Sequence, residues 1–209
     1  MEGKLSELVE DQVELNPFDQ FRRWFDDAIA TGSKDAKLVA VSTVSKEGKP
    51  SSRMVILNKF DEDGFVWYTS YESQKGVELS ENPNAALLFY WGELSRQVRV
   101  EGTVEKVSEE ESEQCFKTRP RGNQIGATAT VQSSVVPGRQ YLQEMFKEVE
   151  DRFSNGAVIP KPEHWGGYRL KPEVFEFWQA QPPRPADRLR YSTAEIDGSR
   201  VWKIDRLAP

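Results

Sequence analysis

The sequence predicts an α+β domain built mainly of strands, and three observations carry that reading. Runs rich in Val, Ile and aromatic residues, cut by Gly- and Asp-bearing turns, occupy both ends of the chain. Between and before them lie stretches whose apolar residues recur every three or four positions. With 209 residues, 37% of them apolar and 30% charged, the chain is long enough for one sizeable core and too apolar to be disordered throughout. Strand-rich ends with helices inserted between them predict a barrel closed by the C-terminal strands.

Residues 1–16 are acidic and lack Arg and aromatic residues, so they read as a mobile or docking arm ahead of a single domain spanning 17–209. After Asn16-Pro17, the spacing of Phe18, Phe21, Trp24, Phe25, Ala28 and Ile29 predicts an amphipathic helix that stops at Gly32. Strands follow at 38–45, 51–60 and 65–69. They are separated by the turns Lys46-Glu47-Gly48-Lys49 and Asp61-Glu62-Asp63-Gly64 and are expected to form an antiparallel meander. A short helix over 73–80 ends before Asn82-Pro83. Two more strands come at 85–91 and 96–107, and alternation places Gln97, Arg99 and Glu101 together on one face of the second. Helices are expected at 109–118, 123–130 and 139–153. Strands return at 167–170, 174–179, 188–191 and 201–206, with the turn Ile196-Asp197-Gly198-Ser199 before the last.

Composition removes several classes of chemistry. The net charge of −6 gives no global basic field, so no nucleic-acid partner is expected. Cys115 is the single cysteine and cannot form an internal disulfide, and His164 is the single histidine, so no cluster of His ligands and no metal site is expected. No apolar run is long enough to cross a bilayer, and the first residues, Met-Glu-Gly-Lys-Leu-Ser-Glu, are unlike a signal peptide. A soluble cytoplasmic protein without a membrane partner is the expectation. Aromatic residues make up 11% of this polar chain, six of them Trp, and they supply burial and flat walls for flat ligands.

Glycine-rich phosphate loops and nucleophile elbows are absent, since the one Gly-Gly pair, Gly166-Gly167, precedes a strand and not a helix. Three polar clusters sit beside apolar strands instead: Arg53 ahead of Met54-Val55-Ile56-Leu57, Gln74-Lys75 at a helix start, and Gln132-Ser133-Ser134 after a helix. Cations with amide and hydroxyl donors suit a phosphate monoester, although each cluster alone also suits a surface ion pair or a cap. The aromatic strand Phe175-Glu176-Phe177-Trp178-Gln179 runs into prolines that are expected to break its ladder, an arrangement costly as plain surface. Cys115 reads as a small buried residue and His164 as structural.

From residue 16 to the C-terminus the chain resembles the FMN-dependent pyridoxine/pyridoxamine 5′-phosphate oxidases. The matching blocks are Ser52-Arg53-Met54-Val55-Ile56-Leu57, Tyr68-Thr69, Ser73-Gln74-Lys75-Gly76, Phe89-Tyr90-Trp91, Arg96-Gln97-Val98-Arg99-Val100-Glu101-Gly102, Thr118-Arg119-Pro120, Gln124-Ile125-Gly126-Ala127, Gln132-Ser133-Ser134, Trp165-Gly166-Gly167 and Phe175-Glu176-Phe177-Trp178-Gln179. The resemblance implies a split β-barrel with peripheral helices, a homodimer with FMN at the subunit interface, and hydride transfer from a flat substrate to the flavin and then to dioxygen. It implies that Arg53, Lys75 and Ser133, with Gln132 alongside, hold the FMN phosphate. Tyr68, Thr69, Gln97, Trp178 and Arg188, together with the backbone of Met54, Val55, Ile56 and Leu57, would hold the rest of the cofactor. Gln74 stands where the family usually has Arg, so one charge partner of the phosphate is replaced.

The substrate positions depart further. Where the family grips the substrate phosphate with Lys, Tyr, Arg and Ser, this chain has Asn58, Cys115, Arg119 and Asn123. The family's Arg-Leu-His-Asp-Arg reads Arg184-Pro185-Ala186-Asp187-Arg188, which keeps Arg184 as the catalytic arginine beside the substrate and replaces the histidine by Ala186. The basic segment that caps the substrate near the N-terminus has no counterpart, since the first Arg is Arg22. Lys59 neighbours Asn58, but alternation on a strand points it to the other face unless the strand bulges. Charge-assisted contacts are worth roughly 1.5–3 kcal/mol each, so these changes point to an oxidase with retained flavin and a substrate pocket altered away from phosphate. The alternatives are a genuine pyridoxamine 5′-phosphate oxidase making pyridoxal 5′-phosphate and a non-catalytic flavin-binding protein.

Overall fold

The structure is a computed structural model and describes residues 7–154, 156–196 and 199–209. Helix α1 (Pro17–Ala30) begins as the sequence predicts: the Asn16 side chain accepts from the Phe18 backbone N–H at 2.9 Å, and Pro17 occupies the first turn, where no N–H is needed. Phe18, Phe21, Trp24 and Ala28 are buried along one face, whereas Ile29, expected on that face, is 44% exposed. The Phe21 ring meets Phe60, Phe65 and Phe89 edge-on with centroids 4.8–4.9 Å apart, so α1 supplies the centre of the main core.

The strands are β1 (Leu38–Val44), β2 (Pro50–Ile56), β3 (Lys59–Asp61), β4 (Gly64–Ser70), β5 (Asn84–Trp91), β6 (Arg96–Lys106), β7 (Trp165–Gln181), β8 (Arg184–Ile196) and β9 (Ser199–Arg206). They form an antiparallel sheet in the order β2-β1-β5-β6-β7-β4-β3, with β8 on β7 and β9 on β8, curled into a split barrel with peripheral helices. Helix α2 (Gln74–Glu81) follows β4, while α3 (Glu109–Thr118), α4 (Arg121–Ala129) and α5 (Arg139–Arg152) lie between β6 and β7. A second cluster of Phe116, Ile125, Val149, Ile159 and Trp165 joins these three helices to the start of β7. No helix among the described residues is long and apolar enough to cross a membrane.

Four expectations are corrected. The first strands do not form one meander: β1–β2 and β3–β4 are hairpins, but β1 takes β5 and β4 takes β7 as its other neighbour. The strand expected over 51–60 is broken at Leu57-Asn58, because the Leu57 N–H donates to Lys37 O and the Asn58 N–H to Val66 O, each at 2.9 Å. There the chain leaves the β1 ladder for that of β4. The strands expected at 167–170 and 174–179 are one strand, β7. Pro172 is accommodated opposite Gly102 at a register shift, where a side chain on Gly102 would collide with the Lys171 carbonyl. Finally, the prolines do not break the β7–β8 pair, because Pro182-Pro183 form its turn, Gln181 pairs with Arg184, and Pro185 sits just inside β8.

Residues 7–16 pack on β8 and β9. Leu8 is buried and its N–H donates to Asp187 Oδ2 at 3.1 Å, Arg206 pairs with Glu10 at 2.7 Å, and the Tyr191 hydroxyl donates to Glu14 O. Residues 1–6 of the expected arm, and Asp197 and Gly198 of the expected turn, lie outside the described residues.

Candidate cofactor and substrate cleft

The break at Leu57-Asn58 and the N-terminus of α2 face each other across a cleft of about 730 Å³. Arg53, Met54, Val55 and Ile56 come from β2, Tyr68 and Thr69 from β4, Gln74 and Lys75 from α2, and Gln132 and Ser133 from the loop after α4, while Asn58, Arg119 and Asn123 close the other end. Thirteen residues singled out in the sequence thus meet in one place.

At the α2 end the side chains are tightly held. Ser73 caps α2 by accepting from the Gly76 N–H. Lys75 is 6% exposed, and its ammonium donates to Thr69 Oγ1 at 3.0 Å, Ser73 Oγ at 3.2 Å and Gln132 Oε1 at 2.9 Å. All three partners are neutral, and burial, with nearby Arg53 in second place, lowers the Lys75 pKa to about 8. Arg53 donates through Nη1 to Thr43 Oγ1 at 2.6 Å and Val41 O at 3.2 Å, and through Nη2 to Ser51 Oγ at 2.5 Å. Ser133, in the facing loop, has φ of 73°, a left-handed conformation rare outside glycine and stored most often at functional sites.

The α3 end is looser. The Asn58 amide reaches Cys115 Sγ at 3.9 Å, and Lys59 Nζ pairs with Glu111 Oε1 at 2.8 Å. Glu111 and Cys115 are one turn apart on α3, so Asn58 and Lys59 both address the same helix face. The strand break cancels the alternation that would have separated them. Tyr68 stacks on Trp165 with centroids 5.3 Å apart and planes 11° apart, in room left by Gly167, where a β-carbon would overlap the Tyr68 ring. Its hydroxyl contacts Glu111 only at 3.5 Å, and burial raises its pKa well above the usual phenol range. The Arg119 guanidinium lies 4.8 Å from the Trp165 ring centre, with its Nε buried and unpartnered among the described residues. Burial lowers the Arg119 pKa and raises that of the Cys115 thiol.

Other expected residues lie elsewhere. The Leu57 side chain turns into the core, which leaves only its backbone, the part expected at the cofactor, toward the cleft side of the chain break. Gln97, Trp178 and Arg188 stand opposite one another across β6, β7 and β8, with exposed Tyr90 of β5 continuing the row, but they are not part of the cleft lining. Arg188 is fixed by buried Glu176 at 2.8 Å and by Ala208 O at 2.7 Å. Arg184 opens β8 and Ala186 falls at the register shift between β7 and β8; the Arg184 side chain lies outside the described residues. His164 contacts Ala127 O at 3.2 Å, a structural role. Sequence reasoning missed Glu78, Thr43 and Ser51, which hold Arg53 from behind; nothing in their local pattern marks them. No group of three or more His, Cys, Asp or Glu among the described residues is placed to hold a metal.

Comparison with known proteins bears on the family and the fold. Residues 25–153 match the family profile described as pyridoxamine 5′-phosphate oxidase, and residues 165–209 match the pyridoxine 5′-phosphate oxidase C-terminal dimerisation region. The chain is 59% identical over 203 residues to the chloroplastic pyridoxine/pyridoxamine 5′-phosphate oxidase 1 of Arabidopsis thaliana, covering 97% of this chain but 38% of that longer protein. It is 50% identical over 202 residues to the pyridoxine/pyridoxamine 5′-phosphate oxidase of Bordetella pertussis, covering 97% and 93% of the two chains. Among solved structures, PhzG from Burkholderia lata 383 in complex with tetrahydrophenazine-1-carboxylic acid superposes with a TM-score of 0.89 at 30% identity, over 99% of this chain and 100% of that one. The blocks read from the sequence, the split barrel and the cleft thus place the chain in the pyridoxine/pyridoxamine 5′-phosphate oxidase family of FMN-dependent oxidoreductases.

Proposed function

We propose that the cleft binds FMN with its phosphate between Arg53 and Lys75, and that the protein is an oxidase for a flat substrate whose pocket has moved away from phosphate recognition. The observation that carries the reading is Lys75: a buried ammonium hydrogen-bonded only to neutral groups, beside a second cation, Arg53, with the one carboxylate of Glu78 behind the pair, leaves a net positive charge suited to an anion. Gln132 and Ser133 add neutral donors at the same end, and Met54, Val55, Ile56, Tyr68 and Thr69 line the length a ribityl chain and ring would occupy. FMN held there by Arg53, Lys75, Gln132 and Ser133 would supply the redox chemistry, hydride acceptance from the substrate with dioxygen as the final acceptor. The protein's part is to bind, orient and exclude water. The row Gln97, Trp178 and Arg188 stands outside the cleft of its own chain, and the dimerisation region includes Trp178 and Arg188; in this reading a second copy brings the row to the cofactor in a homodimer.

For the substrate, Asn58, Cys115 and Asn123 offer no cation, and Arg119 offers one, backed by the Trp165 face. One guanidinium beside aromatic walls suits a flat ligand with a single negative group, and the ligand bound by PhzG is a tricyclic carboxylic acid. Arg184 would contribute at the reacting centre, where Ala186 removes the histidine. A second reading, oxidation of pyridoxamine 5′-phosphate itself, is favoured by Lys59, which reaches the α3 face beside Asn58. The test is peroxide release by the flavin-loaded protein. Turnover of unphosphorylated flat substrates with little of pyridoxine or pyridoxamine 5′-phosphate supports the proposal. Ordinary rates with the vitamin phosphates establish the second reading, and tight flavin binding without turnover of either class leaves a flavin-binding protein.

A further inference from the structure

We propose that Glu78 is a positioning residue of the phosphate cradle: from inside the protein it holds Arg53 and Gln74 in the arrangement that receives the phosphate. The inference rests on the reading of the cleft as an FMN site. Glu78 lies one turn beyond Gln74 on α2 and is 6% exposed. Its Oε1 accepts from Gln74 Nε2 at 2.9 Å and Ser51 Oγ at 2.8 Å; its Oε2 accepts from Ser51 Oγ at 2.6 Å, from the Thr43 hydroxyl, and from Arg53 Nη2 at 3.4 Å. Both hydroxyls that donate to the carboxylate also accept from Arg53, Thr43 from Nη1 and Ser51 from Nη2. The guanidinium is therefore gripped directly and through two relays, at the junction of β1, β2 and α2.

A buried carboxylate is costly, and these bonds hold it ionised, with a pKa lowered to about 2 by Ser51, Thr43, Gln74 and Arg53 against burial. Its charge opposes that of the ligand. A residue selected only for attraction would not be an anion behind an anion site, but an anchor for a long cation is best made from a carboxylate. The two roles predict opposite signs. Loss of the Glu78 charge leaves the cradle more positive and tightens phosphate binding if charge alone matters; it frees Arg53 and weakens binding if positioning matters.

The experiment compares Glu78→Gln with the wild-type full-length protein, titrating FMN and riboflavin, which lacks the phosphate, by flavin fluorescence. The expected result is FMN binding weakened roughly tenfold with riboflavin binding changed less than twofold, and a clearly smaller further loss, through Gln74 alone, when E78Q is added to Arg53→Ala. The charged groups facing Lys75 are Arg53 from β2 and Glu78 from α2, its other contacts Thr69, Ser73 and Gln132 being neutral. Glu78 raises the Lys75 pKa, so in E78Q the alkaline loss of FMN binding moves to lower pH. A general folding role would not move that midpoint. Unchanged or tighter FMN binding in E78Q, or equal losses for FMN and riboflavin, overturns the proposal. If E78Q does not fold, Ser51→Ala, which removes one relay, is expected to weaken FMN several-fold, and an unchanged FMN affinity overturns the proposal. Failure of the wild-type protein to bind FMN would instead overturn the cofactor reading itself.

Discussion

At the α2 end of the cleft, Arg53 and Lys75 are tied to Thr43, Ser51, Thr69, Ser73 and Gln132, and a buried carboxylate stands behind them. At the α3 end, Asn58 and Cys115 meet at 3.9 Å, Asn123 is exposed, and the Nε of Arg119 has no partner among the described residues. Both ends are lined by strand and helix residues, so the difference is one of commitment. A preorganised cradle binds one ligand group with little reordering, whereas a loosely bonded wall can change its residues at small cost to folding. On the proposed reading, the well-bonded end holds the cofactor and the looser end is the one where the substrate residues have changed.

The largest expected effect tests that asymmetry directly. Restoring the family residues together, with Asn58→Lys, Cys115→Tyr, Asn123→Ser and Ala186→His, should raise kcat/KM for pyridoxamine 5′-phosphate by about a hundredfold or more, since two regained charge-assisted contacts supply roughly 1.5–3 kcal/mol each. No gain in peroxide release would show that these positions do not form the substrate wall. Next in size, Lys75→Ala should weaken FMN roughly ten- to hundredfold in a fluorescence titration, for the loss of one charged contact. Arg119→Ala should leave FMN affinity within about twofold while raising KM for the substrate roughly tenfold or more, which separates the two ends in one variant.

Acidity gives a fourth comparison. The Lys75 pKa is lowered to about 8 in the ligand-free protein, and a bound phosphate favours the charged form, so binding takes up a proton above that pH. FMN affinity should be flat between about pH 7 and 8, above the second ionisation of the phosphate at about pH 6, and fall by up to about tenfold per pH unit above about pH 8, until the pKa of the bound state is reached. An affinity independent of pH from 7 to 10 would exclude Lys75 from the phosphate site. The smallest effect is expected for Tyr68→Phe. Its hydroxyl contacts Glu111 at 3.5 Å and the Cys115 side chain, both on α3 and away from the phosphate end, and the ring keeps its stack on Trp165, so FMN affinity should change by less than about threefold.

The contrast also explains what could be read in advance. Arg53, Lys75, Gln132 and Ser133 stand in short polar clusters beside apolar strands, a pattern visible in one dimension, and they converge in three. Glu78 was illegible, because a glutamate on a polar helix is ordinarily a solvated face; only the packing of α2 over β1 and β2 buries it. The side taken by Lys59 depended on an irregularity that the sequence leaves open. Alternation assigns it to the opposite face from Asn58, and the ladder change at Leu57-Asn58 brings both to α3.

Elements whose signals are local were determined by the sequence itself: α1 by its Asn16-Pro17 cap and aromatic period, α2 by Ser73, the β1–β2 and β3–β4 turns by Gly48 and Gly64, and the resemblance by ordered motif blocks. Strand partners were decided by tertiary structure alone. Hydrogen bonds between strands are made by backbone groups that every residue carries, so no side chain announces that β1 pairs with β5 or that β7 takes β4 along its first half and β8 along its second. Those pairings place Gln97, Trp178 and Arg188 in one row outside the cleft, and they set Arg53 against a buried glutamate. Burial of a charge depends on what folds over it, and that is a property of the assembled chain.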